Sequence, residues 1–263
     1  MLSVRNLFIF VLLLLTLGVG AQEFPYALEW KREVSLLSLG GGLSVGSHLL
    51  ESRIRPLTLD QLVGQRRHKV WFLDRGATRN ECDVARVLSD ELLRGAMLLP
   101  ATLAISRRGR RKGLVLATML AQTMLLNDGF TKMTKVLIRR DRPLTFNEQV
   151  DSGAKMGSDA RQSFVSGHTS NAAALSFFTA KVFHDLYPDS PWRPAIWAGA
   201  AIVPLATGYA RYRAGKHFPT DIAAGYALGA ALGILIPQWH KSPTQPGWSV
   251  GMAGDGLGLS LRW

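Results

Sequence analysis

The segment RYRAGKHFPTDIAAGYALGAALGILIP, residues 211–237, runs from a cationic turn into a long apolar helix without a break. Pro219 suits the first helical turn, where its missing N–H is not needed. From Ile222 to Pro237 the chain is almost wholly Ala, Gly, Leu and Ile, a composition for a helix buried on all sides or set in a bilayer. Gly225 and Gly229 form one small-xxx-small pair and Gly229 and Gly233 another, spacing that lets a neighbouring helix approach closely. At the head of this helix, Arg211, His217 and Asp221 supply a cation, an imidazole and a carboxylate.

Four more apolar runs of helical length precede it, at residues 91–105, 113–130, 169–187 and 195–210. An all-α, membrane-embedded bundle of about five core helices, spanning 91–240, is the expected architecture. Residues 33–50 contain Gly40-Gly41-Gly42 and Gly46, each costing a helix roughly 1 kcal/mol, so this stretch is a poor spanning helix unless it packs closely on others. Residues 51–90 are polar, with Arg66-Arg67-His68-Lys69, and the whole of 22–90 reads as an N-terminal interfacial or periplasmic segment. Before it, Arg5, an apolar run from Leu7 to Val19 and Val19-Gly20-Ala21 suit a signal peptide over 1–21, cleaved after Ala21, or an uncleaved anchor. The run is short against the ~20 residues of a spanning helix. The tail, 241–263, alternates small and apolar residues from Trp248 to Trp263 around Gly254-Asp255-Gly256, a hairpin pattern.

The 263 residues carry a net charge of +12 and 47% apolar residues, with a mean hydropathy of +0.09. Cationic loops between apolar segments produce that combination. The charge fits an anionic membrane surface or a phosphorylated substrate better than nucleic acid, because no continuous basic stripe interleaved with aromatics is present. Cys82 is the single cysteine, which excludes an intrachain disulfide and a zinc framework. His48, His68, His184 and His240 have no matching partners nearby and read as surface or interfacial.

The densest basic loop, Arg107-Arg108-Gly109-Arg110-Arg111-Lys112, belongs in the cytoplasm by the positive-inside tendency. Counting helices from there brings Lys135 and Arg142, then Ser166-Gly167-His168, then Arg211 and His217, to one outer face. With the signal cleaved, the arrangement requires that 33–50 not span; if both N-terminal runs span, that face turns to the cytoplasm.

Lys135 and Arg142 lie seven residues apart, two turns of a helix that Pro143 then ends. An ammonium and a guanidinium converging on one point suit a phosphate. Ser166 is a good N-cap, Gly167 allows close backbone approach, and the helix N-terminus adds N–H groups for an anion. His168 sits at the mouth as a plausible general acid. Asp221, four residues after His217, is in reach of its imidazole, leaving the second nitrogen free as a nucleophile. Arg211 would neutralise charge on the transferring group. Taken singly, each cluster has an ordinary structural reading: cations at a helix end, a capped helix with a surface histidine, a capping aspartate beside an unrelated histidine.

In order, the clusters read K-x6-RP, SGH and R-x5-H-x3-D. This pattern resembles the type 2 phosphatidic acid phosphatase superfamily, which also contains bacterial acid phosphatases and vanadium haloperoxidases. The resemblance covers roughly residues 90–237. Val165 stands where the family usually has Pro, and Ala210 where it usually has Ser. The resemblance implies a two-step phosphatase. His217 attacks phosphorus, oriented by Asp221, and His168 protonates the leaving group and later activates water. Lys135, Arg142, Arg211, Ser166 and Gly167 hold the phosphoryl oxygens, with no metal or cofactor. It further implies a lipid phosphate monoester or pyrophosphate substrate at the bacterial inner membrane, with the site facing the periplasm and no nucleic-acid or inferable protein partner. A soluble periplasmic acid phosphatase and a vanadate-dependent haloperoxidase are the alternatives.

Overall fold

The computed structural model describes residues 24–242 and the backbone of 247–253 and 256–262; the 1–21 segment lies outside the described residues. Six long helices make the bundle: α1 (Trp30–Glu51), α2 (Asp83–Ile105), α3 (Gly113–Ile138), α4 (Gly167–Leu186), α5 (Arg193–Arg213) and α6 (Pro219–Trp239). Five of them contain the five apolar runs. The sixth, α1, lies within the 22–90 stretch. Two of its glycines fulfil the condition of close packing: a Cβ at Gly40 would lie 3.0 Å from Leu125 Cγ and one at Gly46 3.4 Å from Met133 Cε, both on α3, whereas Gly41 and Gly42 meet nothing within 4 Å. From the α3 side, a Cβ at Gly129 would lie 2.7 Å from Leu43 Cβ. The backbone-to-backbone contact offsets the propensity cost.

α4 is the central helix. Fifteen of its 20 residues are buried, which explains its even run of Ala, Phe, Ser and Thr. The glycine ladder of α6 packs on it directly: a Cβ at Gly225 would lie 2.5 Å from the Ser166 carbonyl oxygen, and one at Gly229 2.1 Å from that of Ser170. Phe178 and Val182 then meet Met119 and Leu126 of α3 and Ile236 of α6 in the main apolar core.

The helices alternate in direction, and side-chain contacts between them fix their ends. At one end Arg108 donates to the Leu186 carbonyl, Tyr26 Oη donates to Asp185 at 2.7 Å, and Arg32 donates to the Trp239 carbonyl at 2.7 Å. His240, expected near the surface, is fully buried there and contacts Glu33 at 2.8 Å. At the other end Glu51 accepts from Gln162 at 3.1 Å. The start of α1 therefore shares an end with the basic loop, and its last turn shares the opposite end with the clusters. Between α1 and α2 the chain forms a short helix, Leu59–Val63, and two 3-10 turns, Arg67–Lys69 and Arg75–Arg79. In the tail, β1 (Gly247–Ala253) and β2 (Gly256–Arg262) pair antiparallel with Gly247 opposite Arg262.

Among the described residues, α6 is the one helix whose length and apolar composition suit a membrane crossing.

Candidate active site

Lys135 lies in the last turn of α3. The helix stops at Ile138 because Arg139 turns into the left-handed region, φ 50°, and its N–H closes on the Lys135 carbonyl at 2.9 Å. Arg142 is therefore not on the same helix as Lys135, contrary to the two-turn expectation. It precedes Pro143, which disfavours helical geometry at its position, and it is extended, φ −73° and ψ 155°. From there its buried guanidinium spans two loops: Nε donates to the Asp159 carbonyl at 2.8 Å, Nη2 to Asp159 Oδ1 at 2.6 Å, and Nη1 to the Lys216 carbonyl at 3.2 Å.

Ser166 occupies the N-cap position of α4, but its hydroxyl pairs with Thr169 Oγ1 at 2.9 Å and makes no backbone cap. Its N–H donates to the Asp221 carbonyl at 3.0 Å, so this amide is occupied; the first-turn amides of Gly167 and His168 have no acceptor within the helix. Gly167 faces the α3 lysine: a Cβ there would lie 3.7 Å from Lys135 Nζ. His168 Nε2 is 2.9 Å from Asp90 Oδ1 on α2. The same oxygen is 3.4 Å from Arg211 Nη1, which also reaches Ser89 Oγ at 3.2 Å. Arg211 Nε is buried without a hydrogen-bond partner among the described residues, leaving a guanidinium donor available to a ligand.

His217 is almost fully buried, at 1% exposure. Its Nδ1 is 2.8 Å from the Ser163 carbonyl. A carbonyl only accepts, so Nδ1 carries the proton and Nε2 keeps its lone pair. Burial, then Arg142, Lys135 and Arg211 in turn, push the imidazole well below its ordinary value of 6.5. The ring is neutral, and all three cations act on it. Burial and the field of Arg142 likewise lower the Lys216 ammonium.

Asp221 does not bind the imidazole directly: its Oδ2 is 3.8 Å from His217 Nδ1. Oδ2 instead accepts from the Phe218 N–H at 2.9 Å and from Ser163 Oγ, the residue whose carbonyl holds the histidine. Oδ1 pairs with Arg140 Nη1. The other arm of Arg140 reaches Asp74 at 2.7 Å, and Asp74 accepts from the Thr220 N–H at 3.1 Å and hydroxyl at 2.7 Å. The Arg140 guanidinium also lies 4.2 Å from the Phe218 ring centroid.

The fold thus gathers Lys135, Arg142, Ser166, Gly167, His168, Arg211, His217 and Asp221 at one end of the bundle. It adds four residues that sequence reading missed. Arg140, Asp74, Asp90 and Ser163 have no local spacing to mark them.

Residues 96–245 match the PAP2 superfamily, more than half of the chain. The chain belongs to the PAP2 superfamily. Two curated members of known activity are similar to it. One is the lipid A 4'-phosphatase of Porphyromonas gingivalis, 37% identical over 73 residues, covering 28% of this chain and 28% of that protein. The other is phosphatidylglycerophosphatase B of Bacillus subtilis, 29% identical over 128 residues, covering 47% of this chain and 56% of that protein. The matches therefore span about a quarter and about half of those relatives' lengths. A transmembrane PAP2-type phosphatidylglycerolphosphate phosphatase from Bacillus subtilis aligns in structure with a TM-score of 0.44 and 21% identity, over 91% of this chain and 96% of that one. Both residues that depart from the usual PAP2 pattern, Val165 and Ala210, are buried, at 4% and 2% exposure.

Proposed function

We propose that this PAP2 protein is a membrane-bound phosphatase that hydrolyses a lipid phosphate monoester or pyrophosphate through a phosphohistidine at His217. One observation carries the reading: a neutral imidazole, its Nδ1–H tied to the Ser163 carbonyl, set among three cations. Nε2 is then an unprotonated nucleophile. Its lone pair forms the N–P bond as the bond from phosphorus to the leaving oxygen breaks. Lys135, Arg142 and Arg211 balance the charge on the non-bridging oxygens, the term that dominates phosphoryl transfer. His168, whose Nε2–H donates to Asp90, takes a proton at Nδ1 from the bound phosphate monoanion and gives it to the leaving oxygen. A water then attacks phosphorus, giving its proton to His168 and restoring His217. Three cations supply the positive charge, so the reaction needs no metal. Arg142 is paired with Asp159, and binding shifts part of that guanidinium onto the substrate.

Membrane embedding is supported by the outward faces, where Val45, Leu49, Met97, Leu98, Ile202 and Leu205 are each more than half exposed. At 1.5 Å per residue, a helix the length of α1 is about 33 Å long, enough for the ~30 Å hydrocarbon layer. With the basic loop cytoplasmic, the site faces the periplasm of a bacterial inner membrane. The start of α1 is then cytoplasmic as well. Cleavage after Ala21, or an anchor that spans with Arg5 inside, would leave that start outside, so a periplasmic site goes with a 1–21 segment that is uncleaved and does not cross from the cytoplasm.

The test is phosphate release from detergent-purified protein, with EDTA present, on a panel of lipid monophosphates and pyrophosphates. Release that survives EDTA and disappears in His217→Ala is expected. Release abolished by EDTA would overturn the metal-free scheme, and release retained in His217→Ala would overturn the nucleophile.

A further inference from the structure

A second concave site lies beside the catalytic cage. It is a cavity of about 760 Å³ between the chain after α1 and the loop that follows Arg142. Arg66, Arg67, Arg75, Arg79 and Lys155 line it, against one acid, Glu148. None of these five cations forms a salt bridge with a described carboxylate, although arginines elsewhere in the chain, Arg32, Arg86, Arg94 and Arg161 among them, do. Three are held in place by neutral groups. Arg66 donates to the Val63 carbonyl at 2.7 Å, Arg67 to Thr78 Oγ1 at 2.9 Å, and Arg75 to the His68 carbonyl at 3.0 Å. These bonds fix the guanidinium positions without cancelling their charge. A concave surface with an uncompensated excess of positive charge concentrates the field and draws an anion.

The cavity is also amphipathic. Leu59 and Val63 of the short helix line its rim, 59% and 72% exposed. Phe146 forms part of the wall, and behind it lies Phe218, ring centroids 6.4 Å apart, the neighbour of His217. The cavity is therefore separated from the nucleophile by an aromatic pair, yet it opens at the same end of the bundle.

We propose that this cavity binds a phosphate-bearing lipid headgroup other than the one being hydrolysed. Guanidiniums take the phosphate oxygens and the leucine–valine rim takes the first part of the lipid chain. The phosphate has two possible sources: a bystander anionic phospholipid, or a second phosphate on the substrate itself. The site stands apart from the hydrolytic reading, because binding is read without turnover.

The experiment uses the full-length protein in detergent and the double variant Arg66→Gln/Arg79→Gln, both exposed positions outside the catalytic machinery. Fluorescent short-chain phosphatidylglycerol, a diester, and phosphatidylcholine are titrated into wild type, His217→Ala and the double variant. Turnover of a lipid monophosphate and of a lipid bearing two separate phosphates is measured alongside. Phosphatidylglycerol is expected to bind wild type and His217→Ala alike, in preference to phosphatidylcholine, and roughly tenfold more weakly in the double variant. That result identifies a bystander lipid. Unchanged phosphatidylglycerol binding, with KM raised for the two-phosphate lipid alone, identifies the substrate's own second phosphate. The proposal is overturned if the double variant changes neither phosphatidylglycerol binding nor the KM of the two-phosphate lipid. Loss of hydrolysis with headgroup binding intact would count against the phosphatase reading alone.

Discussion

Three donors saturate the Asp221 carboxylate: an Arg140 guanidinium, the Ser163 hydroxyl and the Phe218 amide. Its link to His217 is therefore indirect, through the residue whose carbonyl holds the imidazole. Asp221→Ala removes a fully buried partner of Arg140 and strands two further donors, a loss of about 3–5 kcal/mol for a broken buried pair. Phosphate release is expected to fall at least 100-fold, in the range seen when a histidine loses its orienting group, with a lower melting temperature. Ser163→Ala keeps the backbone acceptor and loses one hydroxyl bond, so activity should stay within about tenfold of wild type. Equal losses in the two variants would contradict this division of labour. The buried, neutral His217 also sets a pH dependence. In the unfolded chain it takes a proton near 6.5, and in the folded protein only well below that. Its contribution to stability is thus complete above pH ~6.5 and declines as pH falls below it, by up to ~1.4 kcal/mol per pH unit. Thermal melts at pH 5 and pH 7 should show a smaller acid loss for His217→Asn, which keeps a donor for Ser163 but does not titrate. An identical acid loss would contradict the assignment. The residues legible in sequence were those whose chemistry sits in short spacing, such as Arg211, His217 and Asp221. Asp74 and Asp90 reach the site from chain 66 and 78 residues away from Arg140 and His168, and no periodicity marks such a contact.

At the scale of the element, glycine decides how closely helices approach. Among the glycines of the six long helices, Gly229 on α6 has the tightest contact, 2.1 Å from a Cβ position to the Ser170 carbonyl. Gly229→Ala must push α4 and α6 apart, and overpacking of this kind costs about 1–3 kcal/mol. Gly42→Ala meets nothing within 4 Å and should be neutral or slightly stabilising through helix propensity. Melting temperatures in detergent distinguish them; equal shifts would contradict the close packing. The G-x3-G spacing of α6 was readable because its period matches one helix face. α1 was harder to read, because the same residue type weakens an isolated helix and strengthens a packed one. The choice depended on Leu125 and Leu126 of α3, which lie far along the chain. The end of α3 was misplaced for a similar reason: nothing local marks Arg139 as the left-handed residue that stops it four residues before Pro143.

At the scale of the whole molecule, the up-and-down order places the basic loop and the start of α1 at one end and every candidate site residue at the other. In a Cys82→Ser background, Gln149→Cys lies at the catalytic end and Arg110→Cys at the opposite one. An impermeant thiol reagent on intact cells is expected to label Gln149→Cys and spare Arg110→Cys. The reverse pattern would place the site in the cytoplasm and revive cleavage after Ala21. The central claim is chemical, that phosphate passes through His217. Its most direct test is a rapid quench in alkali of purified protein with a lipid substrate carrying ³²P in the transferred phosphoryl group. An acid-labile, alkali-stable label on the wild-type chain, absent from His217→Ala, is the expected result. Turnover without a labelled chain, or a label that persists in His217→Ala, would contradict the account.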